Sequence, residues 1–423
     1  MKMLISFYNF LTYLFYIPYI VLIYLRKFLK KEHSVKFKEK IFLNKFKRPK
    51  GFLFWFHVAS IGELKSIYPI IDFYLKENYQ NNFLITTVTL TSFEEFQKKY
   101  GKNKNVYHQF MPYDFIFLIN SFFENWKPDI ATFVDSEIWP NFILKVKSLN
   151  IPLILLNARI TKKSFNRWKM FRKTSDKIFK SFSSCISSSK DTSKYLDVLG
   201  AQNIKFFGNI KFCSSISADN RYLDQFNNVK KRKIWCALST HAEEEIFCGK
   251  THLLVKKTIN DILTIIIPRH INRIDDIYKK LKNLGLNIQI KKEEEDINNF
   301  ADIVLVNYYG SVNKYLKSVR QVFIGKSTIK KFENSGGQNP IDAAKIGCRI
   351  FHGPYVNNFK DIYNFLDESL LSEKVLSSED LANKLKLNFT NDFEKNFEQI
   401  SKIKNYSNKI FENVITEYKD YIR

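Results

Sequence analysis

Short apolar runs alternate with longer amphipathic stretches from residue 52 onward, and this alternation constrains the fold more than any other feature of the sequence. The runs are rich in β-branched and aromatic residues, and several are too continuously apolar to be strands with one face in water. They predict parallel strands covered by helices on both faces, as in doubly wound α/β domains. The first series comprises residues 52–58, 83–89, 106–110, 129–134, 151–157, 182–187 and 204–208.

A polar and weakly periodic segment at 213–232 separates this series from a second one. The second series comprises residues 233–239, 262–268, 286–290, 302–307, 321–325 and 348–353. The pattern predicts two Rossmann-like parallel-sheet domains, at 31–212 and 233–375, with a linker at 213–232 and C-terminal helices at 376–423. We expect the two domains to face a cleft at the carboxyl ends of their strands, where open α/β sheets bind ligands.

Residues 3–25 form a stretch of 23 residues without a charged side chain, long enough to cross a hydrocarbon core of about 30 Å as a helix. Eleven Lys or Arg and two Glu follow between residues 26 and 50, a net charge of +9. Residues 1–30 are therefore predicted to form an N-terminal anchor in the inner (plasma) membrane, with the domains that follow in the cytoplasm. A helix lying in the membrane interface and a buried core helix are the alternatives.

The whole chain carries 67 Lys or Arg against 42 Asp or Glu, a net charge of +25. Such a charge suits a nucleic acid, an anionic membrane or an acidic substrate. No recognisable nucleic-acid-binding module accompanies it, so we expect no nucleic-acid partner. The 5 cysteines lack a C-x-x-C pair and the histidines lack H-x-x-x-H spacing, so neither a metal site nor a cofactor is predicted.

Charged side chains follow several strands of the predicted first domain. Glu63 begins a helix after the run 52–58, where its carboxylate could act as a general base or could only complement the helix dipole. Asp135 and Glu137 follow the run 129–134, and Lys211 follows the last strand. The two carboxylates could also be helix caps. Lys211 could meet an anionic donor or stabilise developing charge, or it could be an ordinary solvated lysine.

The second domain has three segments suited to an anion. The residues 239–241 precede three glutamates and resemble the start of a helix, whose amide groups suit a phosphate. Pro268 and Arg269 place a guanidinium at a strand end, and residues 335–344 (SGGQNPIDAA) run from a glycine pair into a helix. The glycine pair could also be a tight turn with a helix cap, since it matches neither a Walker motif nor G-x-G-x-x-G.

Taken in order, these segments resemble the 3-deoxy-D-manno-octulosonic acid (Kdo) transferase family, inverting glycosyltransferases of lipopolysaccharide synthesis with the two-domain GT-B architecture. The resemblance covers nearly the whole chain. Its most specific segments are HVASIGELKSIYPII, TTVTLTS, DSEIWPN, IPLILLNARITKKSF, GNIKF, LSTHAEEE, IIPRHINR and GGQNPIDAAKIGCRIFHGPYVNNF.

The resemblance implies transfer of Kdo from CMP-Kdo to the lipid A precursor, lipid IVA, at the cytoplasmic membrane face. It implies that Glu63 deprotonates the acceptor hydroxyl, that Glu137 and Lys211 assist the transition state, and that no metal or cofactor is needed. The residues that it implies for the cytidine nucleotide are Pro268, Arg269, Tyr309, Gly310, Ser311, Asn339, Pro340, Ile341 and Asp342.

The departures from the family pattern all lie on the nucleotide side. Gln338 stands where the family usually has His, Asp342 where it has Glu, and FIGKS (323–327) lacks the usual glycine pair. The turn at 309–311 lacks the usual acidic residue. Another GT-B glycosyltransferase with a different nucleotide sugar is therefore one alternative, and a non-catalytic protein that binds anionic membranes through residues 26–50 is another.

Overall fold

The computed structural model describes residues 2–43, 45–78, 80–215, 223–229, 231–390 and 397–422. The chain forms two compact units. The first consists of Met1–Ser215 with Ser407–Arg423, and the second of Ile216–Tyr406. Residues 216–222 and 230 of the predicted linker lie outside the described residues.

The first unit is built on a seven-stranded parallel sheet. Its strands are β1 Leu53–Val58, β2 Asn82–Thr87, β3 Val106–Phe110, β4 Ile130–Val134, β5 Leu153–Ala158, β6 Ser184–Ser187 and β7 Ile204–Phe206. Their order is β3-β2-β1-β4-β5-β6-β7, so the direction of winding reverses between β1 and β4. Every residue of β1, β2, β4 and β5 is buried, which explains their continuous apolar sequence.

Helices cover both faces of this sheet, and four of them begin after a capping Ser or Thr. The helices are α1 Lys2–Leu14, α2 Tyr16–Phe28, α3 Ile61–Glu77, α4 Leu90–Tyr100, α5 Ile116–Trp126, α6 Pro140–Ser148, α7 Lys162–Met170, α8 Arg172–Phe179 and α9 Lys190–Val198. The caps are Ser60, Thr89, Thr161 and Ser189, whose hydroxyls accept an N–H of the first turn.

The second unit repeats the plan with another seven-stranded parallel sheet. Its strands are β8 Lys233–Thr240, β9 Ile262–Pro268, β10 Ile288–Lys291, β11 Ile303–Val306, β12 Gln321–Ile324, β13 Arg349–His352 and β14 Ser372–Lys374. Its helices are α10 Glu244–Lys256, α11 Ile274–Lys282, α12 Val312–Ser318, α13 Ile341–Ile346, α14 Lys360–Glu368 and α15 Ser378–Thr390. The last helix, α16 Phe397–Lys419, begins in this unit and continues into the first. The strand order is β10-β11-β9-β8-β12-β13-β14, and the winding reverses between β8 and β12.

The predicted pair of doubly wound α/β domains is confirmed, and every apolar run that predicted a strand overlaps one. The strand β14 was not predicted, because it is a three-residue polar segment (SEK) at the edge of the second sheet. Only its pairing with β13 defines it as a strand, and this pairing cannot be read from sequence periodicity.

The N-terminal stretch, predicted as one helix, forms two. Among the described residues no single helix is long and apolar enough to cross a membrane, and α1 and α2 meet that requirement only together, as a pair bent by 51°. The break lies at Phe15. Pro18 is its cause, because proline has no N–H for the Leu14 carbonyl and its ring crowds that group.

One side of the α1–α2 pair packs on the first unit through tyrosines. Tyr8 donates to the Asp114 carboxylate at 2.8 Å, and Tyr19 stacks on Tyr113 with ring centroids 3.8 Å apart. The other side is an exposed apolar face, which is formed by Phe7, Phe10, Leu14, Phe15, Ile17, Val21, Leu22, Leu25 and Phe28.

The basic segment 26–50 is partly a structural element. Buried Lys40 pairs with buried Glu32 and donates to the Val88 carbonyl at 2.8 Å, which ties the segment to the loop after β2. Four cations of the segment pair with carboxylates, namely Arg26, Lys36, Lys40 and Arg48. Seven others are exposed, namely Lys27, Lys30, Lys31, Lys38, Lys45, Lys47 and Lys50.

The C-terminal end of α16 belongs to the first unit. Fully buried Tyr418 forms a hydrogen bond of 2.8 Å with Thr132 of β4, and Ser407 donates to the Phe212 carbonyl at 2.9 Å. The chain end therefore covers the first sheet close to the segment that carries Lys211.

Candidate active site

Glu63 lies in the first turn of α3, directly after β1, at the carboxyl edge of the first sheet. The Ser60 hydroxyl accepts the Glu63 N–H at 3.3 Å and donates to Glu63 Oε1 at 2.8 Å. The Ala59 N–H donates to Oε2 at 2.7 Å. The arrangement resembles a capping box, except that the Glu63 carboxylate binds the N–H of Ala59, the residue before the cap, and the start of the helix holds this half-buried carboxylate in one place.

The environment of Glu63 favours proton uptake. Burial raises the pKa of Glu63, and the nearby charges of Asp135 and Glu137 raise it further, while the hydrogen bonds from Ala59 and Ser60 oppose the shift. A carboxylate with a raised pKa is a better proton acceptor than an ordinary surface glutamate. The structure shows the helix-terminal position of Glu63, and its role as a general base stays a prediction.

Glu137 lies in the loop between β4 and α6, and two ring nitrogens contact its carboxylate. Trp139 Nε1 donates to Glu137 Oε2 at 2.8 Å, and His57 Nε2 lies 3.3 Å from the same oxygen. Burial alone would raise the pKa of Glu137, but the interactions with His57 and Trp139 outweigh it and lower the pKa. Glu137 is therefore ionised at neutral pH.

His57 is fully buried at the end of β1 and connects Glu137 to the sheet. Trp55 Nε1 donates to Thr86 Oγ1 at 3.0 Å, and the same hydroxyl lies 3.0 Å from His57 Nδ1. Because an ionised carboxylate can only accept, the contact with Glu137 requires a proton on His57 Nε2.

Lys211 is fixed by a buried carboxylate. Its Nζ donates to Asp135 Oδ2 at 2.7 Å, and Asn157 donates to the other oxygen of Asp135. The side-chain oxygen Oδ1 of Asn157 accepts the Ile210 N–H at 3.1 Å, which places the short helix Ile210–Cys213 that carries Lys211. Asp135 has a positive φ of 57°, so the backbone turns sharply directly after β4.

The structure thus brings Glu63, Glu137 and Lys211 to one edge of the first sheet, where β1 and β4 flank the reversal of winding. Asp135 connects them, because it binds Lys211 and its charge raises the pKa of Glu63. A basic carboxylate, an ionised carboxylate and a fixed cation can together remove a hydroxyl proton and stabilise charge that develops during group transfer.

Two residues of this cluster, His57 and Asn157, were not predicted as site residues. Each is a polar residue near the end of an otherwise apolar strand, in FLFWFHV and LILLNA. A polar side chain in such a position is the signal that could have identified both, because buried strands tolerate polar groups only where they are hydrogen-bonded.

In the second unit the predicted nucleotide-binding residues lie in three loops at the carboxyl edge of the sheet. Pro268 ends β9, and exposed Arg269 follows it with its N–H bonded to the Thr240 carbonyl at 3.0 Å. The turn of Tyr309, Gly310 and Ser311 follows the neighbouring strand β11. Within the described residues the buried Ser311 hydroxyl makes no hydrogen bond, so it can accept a ligand partner.

The third loop leads from β12 to α13 and contains the residues 339–342. Asn339 is exposed and its side chain accepts the Ile341 N–H at 3.1 Å, Pro340 is the residue before the helix, and Asp342 lies in the first helical turn. Preceding them, Gln338 Nε2 lies 3.2 Å from His241 Nε2. This contact requires a neutral His241 with an unprotonated Nε2.

The described residues contain no group of three or more His, Cys, Asp or Glu that could hold a metal ion.

Residues 35–214 match the protein family described as 3-Deoxy-D-manno-octulosonic-acid transferase (kdotransferase). The 3-deoxy-D-manno-octulosonic acid transferase of Rickettsia bellii is 30% identical over 381 residues, which cover 89% of this chain and 89% of that protein. The enzyme of the same name from Rickettsia typhi is 31% identical over 337 residues, covering 79% of this chain and 71% of that protein.

Among solved structures, the chain is similar to the UDP-GlcNAc 2-epimerase from Neisseria meningitidis bound to UDP-GlcNAc. The TM-score is 0.59 at 12% identity, with 87% of this chain and 100% of that chain covered. At this identity the likeness concerns the fold, two parallel-sheet α/β domains, and not the activity.

Proposed function

The chain belongs to the Kdo transferase family of GT-B glycosyltransferases, and from this premise we propose that it transfers Kdo from CMP-Kdo to the lipid A precursor, lipid IVA, with inversion. The observation that carries the proposal is the cluster at the edge of the first sheet, where Glu63 lies beside the Asp135–Lys211 pair. The step belongs to lipopolysaccharide biosynthesis.

In the proposed reaction the Glu63 carboxylate accepts the proton of an acceptor hydroxyl, whose oxygen forms a bond to the anomeric carbon of Kdo. The bond from that carbon to the phosphate of CMP breaks, and CMP leaves with the electron pair. Lys211 can stabilise the negative charge that develops during the transfer, because Asp135 holds its Nζ in position before substrate binds. Glu137, kept ionised by its ring N–H donors, can stabilise the oxocarbenium character of the sugar.

The second unit is proposed to hold the cytidine nucleotide through its three edge loops. Arg269 supplies a guanidinium beside β9, Ser311 supplies a buried hydroxyl with an open hydrogen-bonding capacity, and Asn339 is exposed before α13. A nucleotide phosphate is an anion, and arginine and hydroxyl groups are its usual partners. The shorter Asp342, in place of the usual Glu, would reach a ribose hydroxyl through a bridging water.

We further propose that the α1–α2 pair lies in the cytoplasmic face of the inner membrane. Its exposed apolar face has no protein partner in the described part of the chain, and seven exposed lysines lie in the adjacent segment 26–50. An apolar face next to lysines is the usual composition of a helix that rests in an anionic membrane surface. Replacing Phe7, Phe10 and Ile17 by Asp should release the protein from vesicles containing anionic lipid, and retention of the variant would contradict the proposal.

The decisive experiment incubates the purified chain with CMP-Kdo and lipid IVA in mixed micelles and determines the product by mass spectrometry. We expect a product heavier by one or more Kdo residues together with released CMP. Inhibition by CMP but not by UDP would support the donor assignment. Turnover of a different nucleotide sugar would support another GT-B glycosyltransferase, and binding of lipid without any turnover would support a non-catalytic membrane protein.

A further inference from the structure

Lys326 occupies a backbone conformation that favours glycine. It follows β12 with a φ of 58°, in the left-handed region that side chains with a β-carbon rarely adopt. The preceding residue, Gly325, could not carry a side chain, because a β-carbon there would lie 2.6 Å from the Ser239 carbonyl oxygen. A tight turn that could use two glycines therefore has a lysine at the second position.

The backbone of this turn is fixed from both sides. Buried Glu244 accepts the N–H groups of Lys326 at 2.6 Å, Ser327 at 2.8 Å and Thr328 at 3.1 Å. The Lys326 carbonyl accepts the Gly337 N–H at 2.6 Å. A strained conformation persists where surrounding contacts determine it, and such residues concentrate at ligand sites.

The side chain of Lys326 reaches a cluster of predicted nucleotide-side residues. Its Nζ lies 5.3 Å from the centroid of the Phe332 ring, and this ring contacts His241 edge-on at 5.1 Å. His241 in turn contacts Gln338. Lys326 and Gln338, two of the departures from the family pattern, therefore belong to the same cluster.

The cluster lies in a positive field. Burial lowers the pKa of His241 to about 4, and the charges of Lys326, His270, Arg273 and Arg269 contribute to the shift. Arg273 is paired with Glu245, at 3.0 and 3.1 Å. The buried carboxylate of Glu244, at the start of α10, binds backbone N–H groups of the turn.

We propose that Lys326 binds an anionic oxygen of the sugar-nucleotide donor, either the phosphate or the sugar carboxylate. The inference rests on the proposed function and adds a residue to its donor site. The winding of the second sheet reverses between β8 and β12, so Lys326 and His241 lie at the position where open α/β sheets bind nucleotides. A lysine in a strained conformation at this point supplies a charge that glycine would not.

The test compares Lys326→Gly, Lys326→Arg and the control Lys331→Ala, which removes an exposed lysine from the same loop. The measurements are KM for CMP-Kdo, the Kd of CMP by calorimetry and the melting temperature. Lys326→Gly should raise KM by about tenfold, the loss expected for one charge-assisted hydrogen bond, with Lys326→Arg close to wild type. Because glycine removes the strain, its melting temperature should rise by about 2 °C.

The two anion sources are separated by CMP, which carries the phosphate alone. A weaker Kd for CMP in Lys326→Gly identifies the phosphate, and a higher KM for CMP-Kdo with unchanged CMP binding identifies the sugar carboxylate. Wild-type KM and Kd in Lys326→Gly would overturn the inference, as would a fall in melting temperature that accompanies weaker binding. Failure of the proposed function is distinct, because it appears in the wild-type protein as absence of CMP-Kdo turnover.

Discussion

Replacing Glu63 by Gln separates the two roles of this side chain, capping α3 and accepting a proton. The amide oxygen of Gln can accept the Ala59 N–H, and its NH2 group can donate to the Ser60 hydroxyl. Gln serves a capping box as Glu does, so the start of α3 should be preserved. The amide is not basic, so the proton acceptor is lost.

The magnitudes follow from the contacts. A general base contributes about 100-fold to 10,000-fold, so kcat of Glu63→Gln should fall at least about 100-fold. Exchanging the charge-assisted hydrogen bonds for neutral ones should cost about 1 kcal/mol. The raised pKa of Glu63 works in the opposite direction, because its stabilising effect is present below the unfolded pKa and is lost as pH rises through the folded pKa. At neutral pH the ionised carboxylate destabilises the fold, Gln lacks this cost, and the melting temperature should change by less than about 2 °C.

The assay measures steady-state turnover and thermal unfolding of wild type, Glu63→Gln and Ser60→Ala. Ser60→Ala removes the cap at a cost of about 1 kcal/mol but retains the base, so we expect its kcat to stay within about tenfold of wild type. Activity of the wild type should decline as pH falls through the raised pKa of Glu63. Full turnover by Glu63→Gln, or equal losses in both variants, would show that Glu63 only caps the helix.

Three further predictions concern the first unit. Trp139→Phe removes the indole donor to Glu137, so the pKa of Glu137 should rise, which NMR titration of its carboxyl group would detect, without loss of fold by circular dichroism. Lys211→Met leaves buried Asp135 without its cation and should lower kcat, and urea titrations should show a free energy of unfolding lower by about 2 kcal/mol. Lys211→Arg keeps the positive charge and should retain part of the activity and part of the stability. Tyr418→Phe removes a buried hydrogen bond to β4 and should lower the free energy of unfolding by about 1 kcal/mol while KM and kcat remain at wild-type values.

The strands were predictable because both faces of each sheet are covered. A strand such as β1 must be apolar throughout when helices cover both sides, and this continuous pattern is visible without knowledge of its neighbours. The break at Phe15 had a local cause in Pro18, yet the long apolar stretch around it concealed the end of a helix. The strand β14 had no local signal, because its three residues are polar and only pairing with β13 defines them.

The sequence predicted the positions of the candidate residues after their strands but not the contacts between them. Glu63, Glu137 and Lys211 were each placed after a strand by the sequence, and the common sheet edge follows from parallel topology. That Asp135 binds Lys211, 76 positions away, depends on tertiary structure. The contact between His57 and Glu137 depends on it equally, since the two residues are 80 positions apart.

The charges of Lys211 and Glu137 have partners within the first unit itself. Lys211 is held by Asp135, and Glu137 by Trp139 and His57, so neither group has to move when charge develops. Preorganised charges of this kind avoid the reorganisation that water would require during the reaction. This arrangement supports the catalytic roles that we propose for Glu63, Glu137 and Lys211.

The sheet edge of the second unit carries several cations around His241. Lys326 and Arg269 lie close enough to His241 for their charges, together with burial, to lower its pKa to about 4, while the Glu244 carboxylate is occupied by backbone N–H groups. An anion that reaches this edge enters a positive field without first displacing that carboxylate. The donor carries its negative charge on the phosphate and the sugar carboxylate, so it should bind to the second unit. The acceptor hydroxyl is neutral until it loses its proton, and the first unit should remove that proton.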